Sequence, residues 1–389
     1  MYQIPFTSKN AEDAFKAALV KVDANLVPFR EKFPDDTTYK NVYYPRKDRN
    51  GEMTGANIGW TTSFWTGILW LAYEWTKDEK YREVAQVQVD NFITRMETAS
   101  DVDHHDLGFL YSITCIADYK LNGSQKSRDG AILAAETLMK RFWEKPGIIQ
   151  AWGRMDDPKQ RGRAIIDSLM NLPLLYWASL ETGNPRYAVA ALRHATQLQR
   201  YQVRPDATTY HTFYFNTETG EADHGETAQG FADDSCWARG QAWAMYGFPL
   251  SYIYTRRESF LKTATALTDY FLAHTPSDRV AYWDLAFGDG SGEEKDSSAS
   301  AIAVCGMLEL AKYLPAQKAA SYRQQALEIL KSLVDNYSTR DHPESNALLL
   351  HSVYSKPGKH GVDEACLWGD YFYMEALMRV MNPSWRLYW

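Results

Sequence analysis

The sequence predicts an all-α (α/α)6 barrel, a toroid of six helical hairpins with one small β-hairpin insertion, on three observations. Apolar residues recur at i, i+3 and i+4 through most of the 389 residues, with few alternating β-branched runs. The helical segments fall into pairs, an aromatic, small-residue-rich helix followed after a short turn by one richer in Arg, Lys and Gln. The first helix of each pair is apolar nearly all round, which suits an inner ring buried by an outer one.

Taken in order, segment 60–76 precedes 80–97, 106–121 precedes 127–143, and 163–182 precedes 185–202. Then 237–256 precedes 259–273, 297–313 precedes 319–336, and the last aromatic helix, 364–381, can pair with the N-terminal helix, 11–33. Turns at 77–81, 122–124 and 183–187 end one helix and begin the next with Gly, Asp or Asn. Hairpins repeated in this way build a solenoid or a closed toroid, and the buried first helices favour closure. Pro173, inside 163–182, predicts a kink. The stretch 208–230 predicts a small β-hairpin in a long connection, with Tyr210 to Phe215 as a strand and Thr217-Glu-Thr-Gly220 as the turn. No low-complexity linker divides the chain, so 1–389 reads as a single domain.

With 45% hydrophobic residues the chain can fill a large interior. A net charge of −7 gives neither the basic footprint of nucleic-acid binding nor attraction to an acidic membrane, so neither partner is expected. No run of about eighteen apolar residues is present to span a bilayer. The first residues, Met1-Tyr2-Gln3-Ile4-Pro5-Phe6, lack a basic segment followed by an apolar core. A cytoplasmic location is therefore expected, or a periplasmic one if the N-terminus has been trimmed. Cys115, Cys236, Cys305 and Cys366 are scattered with no C-x-x-C pair, which predicts reduced, buried thiols. The unusual number is 14% aromatic residues, among them 13 Trp and 25 Tyr. Flat rings with polar handles suit a cleft that grips a hydroxyl-bearing sugar.

In a helical toroid the connections before the inner helices gather at one mouth, where function tends to sit. They carry Asp103-His104-His105-Asp106, Ile165-Ile166-Asp167, Asp233-Asp234, Asp289 to Ser298, and Asp363-Glu364. Any one of these aspartates alone reads first as a helix N-cap. Asp167 fits that least, because it lies in the apolar run Ala164-Ile-Ile-Asp-Ser-Leu-Met, where an ionised carboxylate is costly unless paired or functional. Two carboxylates in one aromatic-walled cavity can divide acid and base duties, with desolvation raising one pKa. Desolvation should dominate at Asp167, and the helix end should keep Asp106 ionised. His104-His105-Asp106 has no H-E-x-x-H companion, so no metal and no cofactor are expected. The glycines at 287–292 stand beside Glu293, Glu294 and Asp296, which would repel phosphate, so a turn is expected there.

Together these stretches resemble the unsaturated glucuronyl hydrolases of glycoside hydrolase family 88. The resemblance runs from Asn57-Ile-Gly-Trp60 through His105-Asp106-Leu-Gly-Phe109, Ile166-Asp167-Ser-Leu-Met-Asn171 and Trp237-Ala-Arg239-Gly-Gln-Ala-Trp243 to Gly361-Val-Asp-Glu and Trp368-Gly-Asp370-Tyr371. Each motif alone is moderately specific; their order makes the set strong.

The resemblance implies hydration of the C4=C5 vinyl ether of a terminal unsaturated uronate, in a di- or oligosaccharide left by a glycosaminoglycan lyase. By matching position, Asp167 would protonate C4 and then take a proton from the water adding at C5. Asp106 would orient substrate and stabilise positive charge on the ring, with His105 positioning Asp106. Trp60, Trp152, Trp237 and Trp243 would wall the sugar, although plain core burial stays open for the tryptophans, Trp152 above all. His211 and Gln229 would contact the region of the double bond, and the planar fork of Arg239 suits the uronate carboxylate. Ser355, Lys356 and Lys359 would set tolerance for sulfate on the neighbouring sugar, the competing reading being a solvated Pro/Gly turn. Unsaturated rhamnogalacturonyl hydrolysis and silent glycan binding remain the alternatives, and the paired Asp106 and Asp167 weigh against the second. Oligomeric state is not legible.

Overall fold

The structure, a computed structural model, describes residues 6–389. α1 (Ser8–Asn25) starts on a capping box made by Thr7 and Asn10. It is followed by α2 (Thr62–Thr76), α3 (Glu79–Glu97) and α4 (Leu107–Tyr111). A π-turn at Ser112–Ile116 joins α4 to α5 (Ala117–Asn122), and the three make one interrupted inner helix ahead of α6 (Gln125–Met139). Strands β1 (Phe142–Trp143), β2 (Ile148–Ile149) and β3 (Arg163–Ile165) come next, then a 3₁₀ turn at Ile166–Met170, α7 (Leu172–Thr182) and α8 (Pro185–Gln197). β4 (Thr212–Phe215) and β5 (Ala222–Glu226) lead into α9 (Ala238–Thr255) and α10 (Glu258–Ala273). The chain continues through α11 (Ser297–Leu310), α12 (Ala316–Ser332), β6 (Ser352–Ser355), β7 (His360–Glu364) and α13 (Leu367–Met381).

Helices α2, α4, α7, α9, α11 and α13 touch in succession, and α13 returns to α2, which closes the ring. The outer helices α3, α6, α8, α10 and α12 back them, and α1 packs on α13 as the sixth pair. Burial follows the composition. α9, α11 and α13 are buried over most of their circumference, whereas α8 buries only Tyr187, Ala190, Ala191, His194 and Ala195 along one face. All four cysteines are free and buried. No helix among the described residues is long and apolar enough to cross a membrane.

Three local expectations change. The segment 163–182 is not one helix, because Arg163 to Ile165 pair antiparallel with β4 and the chain turns through the 3₁₀ segment before α7 starts. Pro173 therefore sits in the first turn of α7, where its missing N–H is no loss, and it makes no kink. The hairpin forms as β4–β5 but gains β3 as a third strand. The β6–β7 hairpin, pairing Ser352 with Glu364, was not foreseen; its run Ser352-Val-Tyr-Ser carries too short an alternation to announce a strand.

Candidate active site

Asp106 and Asp167 sit where two inner helices begin, one just before α4 and the other within the 3₁₀ turn before α7. A close backbone approach brings these segments together. A Cβ on Gly108 would overlap the backbone of Asn171, and Asn171 Oδ1 accepts the Phe109 N–H at 2.7 Å. Only a residue without a side chain allows that contact. The turn holding Asp167 is pinned from behind. His194 Nδ1 accepts the Ile149 N–H at 2.9 Å, which leaves its Nε2–H to donate to Ser168 Oγ at 2.6 Å. Burial pushes the His194 pKa down to about 3, so this strut stays neutral.

His105, itself 1% exposed, stands between the two carboxylates. Its Nε2 lies 3.2 Å from Asp106 Oδ1 and 3.5 Å from Asp167 Oδ1. Burial opposes charge on all three groups, and the outcome differs at each. At Asp167 burial wins, helped by Asp106 and opposed by His105 and Arg239, and its pKa is pushed up to about 7. Its Oδ1 has no hydrogen-bond partner. At Asp106 the burial cost is outweighed by His105 and by His104, whose Nδ1 lies 3.3 Å from Asp106 Oδ2, so the pKa falls far below the usual range. The Asp106 side chain makes no capping hydrogen bond to the start of α4. His105 is raised by the two aspartates against its own burial. Near neutrality the site thus holds a fixed carboxylate, a histidine drawn toward its charged form and a carboxyl group poised to exchange its proton.

The ligand atoms of His105, Asp106 and Asp167 lie within 4.8 Å of one another, a spacing a metal could span.

Around this group the structure gathers most of the expected binding residues and removes others. Trp60 is half-buried, donates its Nε1–H to Tyr354 Oη at 2.9 Å and packs on Trp368 at 5.0 Å between ring centroids. Trp152 is 37% exposed, with the Arg163 guanidinium 4.9 Å from its ring, so it lies at the surface and not in the core. His211 lies 4.4 Å from Trp237 by ring centroid, and its Nδ1 accepts the N–H groups of Ala228 and Gln229. The imidazole is thereby fixed with its proton on Nε2, which is buried and unpartnered, while burial and Arg239 push its pKa down to about 3.

Four expectations are corrected. Trp237 is 4% exposed and lies behind His211, so it backs that imidazole and is not itself a sugar wall. Trp243 is 1% exposed and wedged between Phe109 and Phe372 at 5.1 and 5.4 Å, so it is core and not a sugar wall. Arg239 does not present a free fork. Its nitrogens donate to Asp296 at 2.9 Å, to Gln229 Oε1 at 2.7 Å, to the Tyr354 carbonyl at 2.6 Å and to the Val353 carbonyl. It holds the β6–β7 hairpin and Gln229 in place and contributes positive charge to Asp167. Lys356 is paired with Glu294 and lies 3.5 Å from Glu293, so its charge is already compensated. Exposed Lys359 and half-buried Ser355, whose Oγ accepts the Gly358 N–H at 3.1 Å, remain on that hairpin.

Several residues were missed from sequence. His104, Asn171, Gly108 and His194 are positioning groups, and the first three stand beside or inside the quoted motifs, so adjacency to the aspartates was the available signal. His194, in an outer helix, offered none.

A toroid with an acid pair at the N-terminal mouth of its inner ring defines a class of sugar-cleaving enzymes, and the comparisons place this chain within it. The family model Glycosyl Hydrolase Family 88 matches residues 36–383, and the chain belongs to that family. It is 43% identical over 385 residues to an unsaturated chondroitin disaccharide hydrolase of Streptococcus pneumoniae, covering 98% of this chain and 94% of the relative. It is 41% identical over 373 residues to an unsaturated glucuronyl hydrolase of Bacillus sp. strain GL1, covering 95% and 96%. The crystal structure of unsaturated glucuronyl hydrolase from Streptococcus agalactiae superposes with a TM-score of 0.94 at 42% identity, over all of this chain and 95% of that one. Aspartate-to-asparagine variants among the similar structures hold dGlcA-GalNAc6S and dGlcA-Glc-Rha-Glc.

Proposed function

We propose that this enzyme removes the terminal 4,5-unsaturated uronate from glycosaminoglycan-derived disaccharides by hydrating its vinyl ether, with Asp167 as acid and base. The observation that supports this best is the Asp167 carboxyl group, raised to about 7 by burial and unpartnered at Oδ1, beside an Asp106 held ionised. A group with that pKa can both give and take a proton near neutrality. Asp167 donates its proton to C4, and the ring cation that develops at C5 faces the fixed charge of Asp106. Water adds at C5 and returns a proton to Asp167, which restores the acid. The resulting hemiketal opens by breaking the bond between C5 and the ring oxygen, leaving a ketone at C5. The freed C1 hemiacetal then sheds the partner sugar as an alcohol and becomes an aldehyde. No bond from an enzyme atom to C1 forms, so the separation of the carboxylates carries no message about retention or inversion.

Trp60 and Trp152 wall the sugar. Trp237, largely buried, backs His211, whose Nε2–H has one fixed orientation in which to donate to a substrate oxygen. The Gln229 carbonyl is occupied by Arg239, which leaves its amide N–H groups for the ligand.

Turnover in D₂O, followed by proton NMR, separates hydration from ordinary glycoside hydrolysis. Protonation of C4 by Asp167 should place deuterium on one face of C4 only. Deuterium on both faces of C4 from the first turnovers, as solution tautomerisation of a released unsaturated uronate gives, would exclude the vinyl-ether route.

A further inference from the structure

Beyond the half-buried tryptophans, the mouth carries an aromatic surface that the reaction does not use. Phe231 is 59% exposed. It is backed by Phe287 at 5.0 Å and by Trp283 at 6.3 Å between ring centroids, and Trp283 and Phe287 lie 5.5 Å apart. Trp283 is buried and anchored by its Nε1–H to Glu293 Oε2 at 2.9 Å. The three rings form a shelf with its outer face, Phe231, open to solvent.

Two features tie this shelf to the site. The loops that carry it precede the inner helices α9 and α11, so it stands at the same mouth as Asp167. The Phe231 N–H donates to Asp284 Oδ2 at 2.9 Å, and Asp284 also receives the Ser235 hydroxyl at 2.7 Å and bridges the backbone of Trp237. Gly230 packs against Trp237, which backs His211, so Phe231 lies one residue, about 3.8 Å of chain, from that contact. It is two residues from Gln229, which is held by Arg239. An exposed apolar platform held by buried hydrogen bonds is preorganised to bind a flat apolar face.

We infer that Phe231, backed by Phe287 and Trp283, is a sugar-stacking subsite for the third unit of the substrate, counted from the unsaturated uronate, so that the enzyme distinguishes tetrasaccharides from disaccharides. The occupant is a pyranose ring, because the shelf stands two residues from Gln229, a ligand contact of the proposed sugar site, and offers a ring face with no charge of its own. The inference rests on the proposed function, and the test separates the two.

Steady-state turnover is followed by loss of the ultraviolet absorbance of the unsaturated uronate, with an unsaturated disaccharide and the matching tetrasaccharide. For Phe231→Ala the tetrasaccharide KM should rise about tenfold, the equivalent of about 1.4 kcal/mol of binding, with kcat unchanged, as expected when uniform binding is lost. The disaccharide constants should not move, and Phe231→Tyr should keep the tetrasaccharide KM near wild type. A KM change of equal size on both substrates, or no change on either, overturns the subsite. Failure of the wild type to consume the disaccharide strikes instead at the proposed function.

Discussion

Asp167 carries the chemistry because of where a single carboxyl group lies. Asp167→Asn keeps the shape and loses the proton, so kcat should fall at least about 10²-fold, in line with general acid–base contributions. The shift also fixes the pH dependence. The acid form exists below a pKa of about 7 and is lost as pH rises through it, so kcat/KM should decline above about 7. Stability carries the same sign. The folded chain holds a proton on Asp167 that the unfolded chain releases from its ordinary value of 3.8 upward, so wild-type stability falls with rising pH between 3.8 and about 7. Urea titrations should therefore show Asp167→Asn gaining on the wild type as pH rises from 5 to 8; a constant gap would contradict the shift. This much was legible in sequence, because a lone acid in the apolar run Ala164-Ile-Ile-Asp-Ser-Leu-Met carries a desolvation cost that a structural role there does not offset. The fate of Arg239 was not, since the partners that consume its fork, Asp296 and the carbonyls of Val353 and Tyr354, come from chain more than fifty residues away.

At the scale of elements, the site depends on two segments approaching more closely than ordinary helix packing allows. Gly108 meets the Asn171 backbone with no room for a methyl group, and Asn171 Oδ1 closes the contact on the Phe109 N–H. Gly108→Ala should thus push α4 away from the turn that carries Asp167. Overpacking of this kind destabilises by about 1–3 kcal/mol, and the lengthened Asp106 to Asp167 separation should lower kcat more than it raises KM. Chemical denaturation and steady-state kinetics on the same variant check both halves, and a fully stable, fully active enzyme would show that the contact relaxes freely. Periodicity found the helices but misread this junction. Apolar residues dominate from Ala164 to Leu175, interrupted only by Asp167, Ser168 and Asn171, and so sparse a polar pattern does not separate strand, 3₁₀ turn and helix. The split follows from β3 pairing with β4, a contact between segments nearly fifty residues apart.

Taken whole, the molecule is a ring with unlike ends. The inner helices point their N-termini at the mouth, where their dipoles favour an anionic substrate despite a net charge of −7. At the opposite end residues 382–389 turn back across the ring. Trp385 Nε1–H and Tyr388 Oη–H both donate to Glu74 Oε2, at 2.8 and 2.6 Å, and Lys120 Nζ donates to the carbonyls of Leu387 and Tyr388 at 2.9 and 3.0 Å. Trp389, 3% exposed, fills the axis. It stacks on Phe372 with an interplanar angle of 5°, meets Phe109 edge-on at 6.0 Å, and donates its Nε1–H to Glu375 Oε2 at 2.9 Å. Phe109 is three residues from Asp106, so this plug supports the floor of the site from below. Removing it by Trp389→Ala leaves a cavity on the barrel axis and takes a donor from a buried carboxylate, a loss of about 3–5 kcal/mol by analogy with buried aromatic truncations. Trp389→Phe keeps the ring and drops only the indole N–H, so it should lose about 1–3 kcal/mol, the cost of an unsatisfied buried partner. Urea unfolding of the two variants orders them, and kcat should fall with the alanine variant as Phe109 shifts into the space. Equal losses for both would assign the effect to the hydrogen bond alone, and an undiminished alanine variant would mean that the ring closes without its plug.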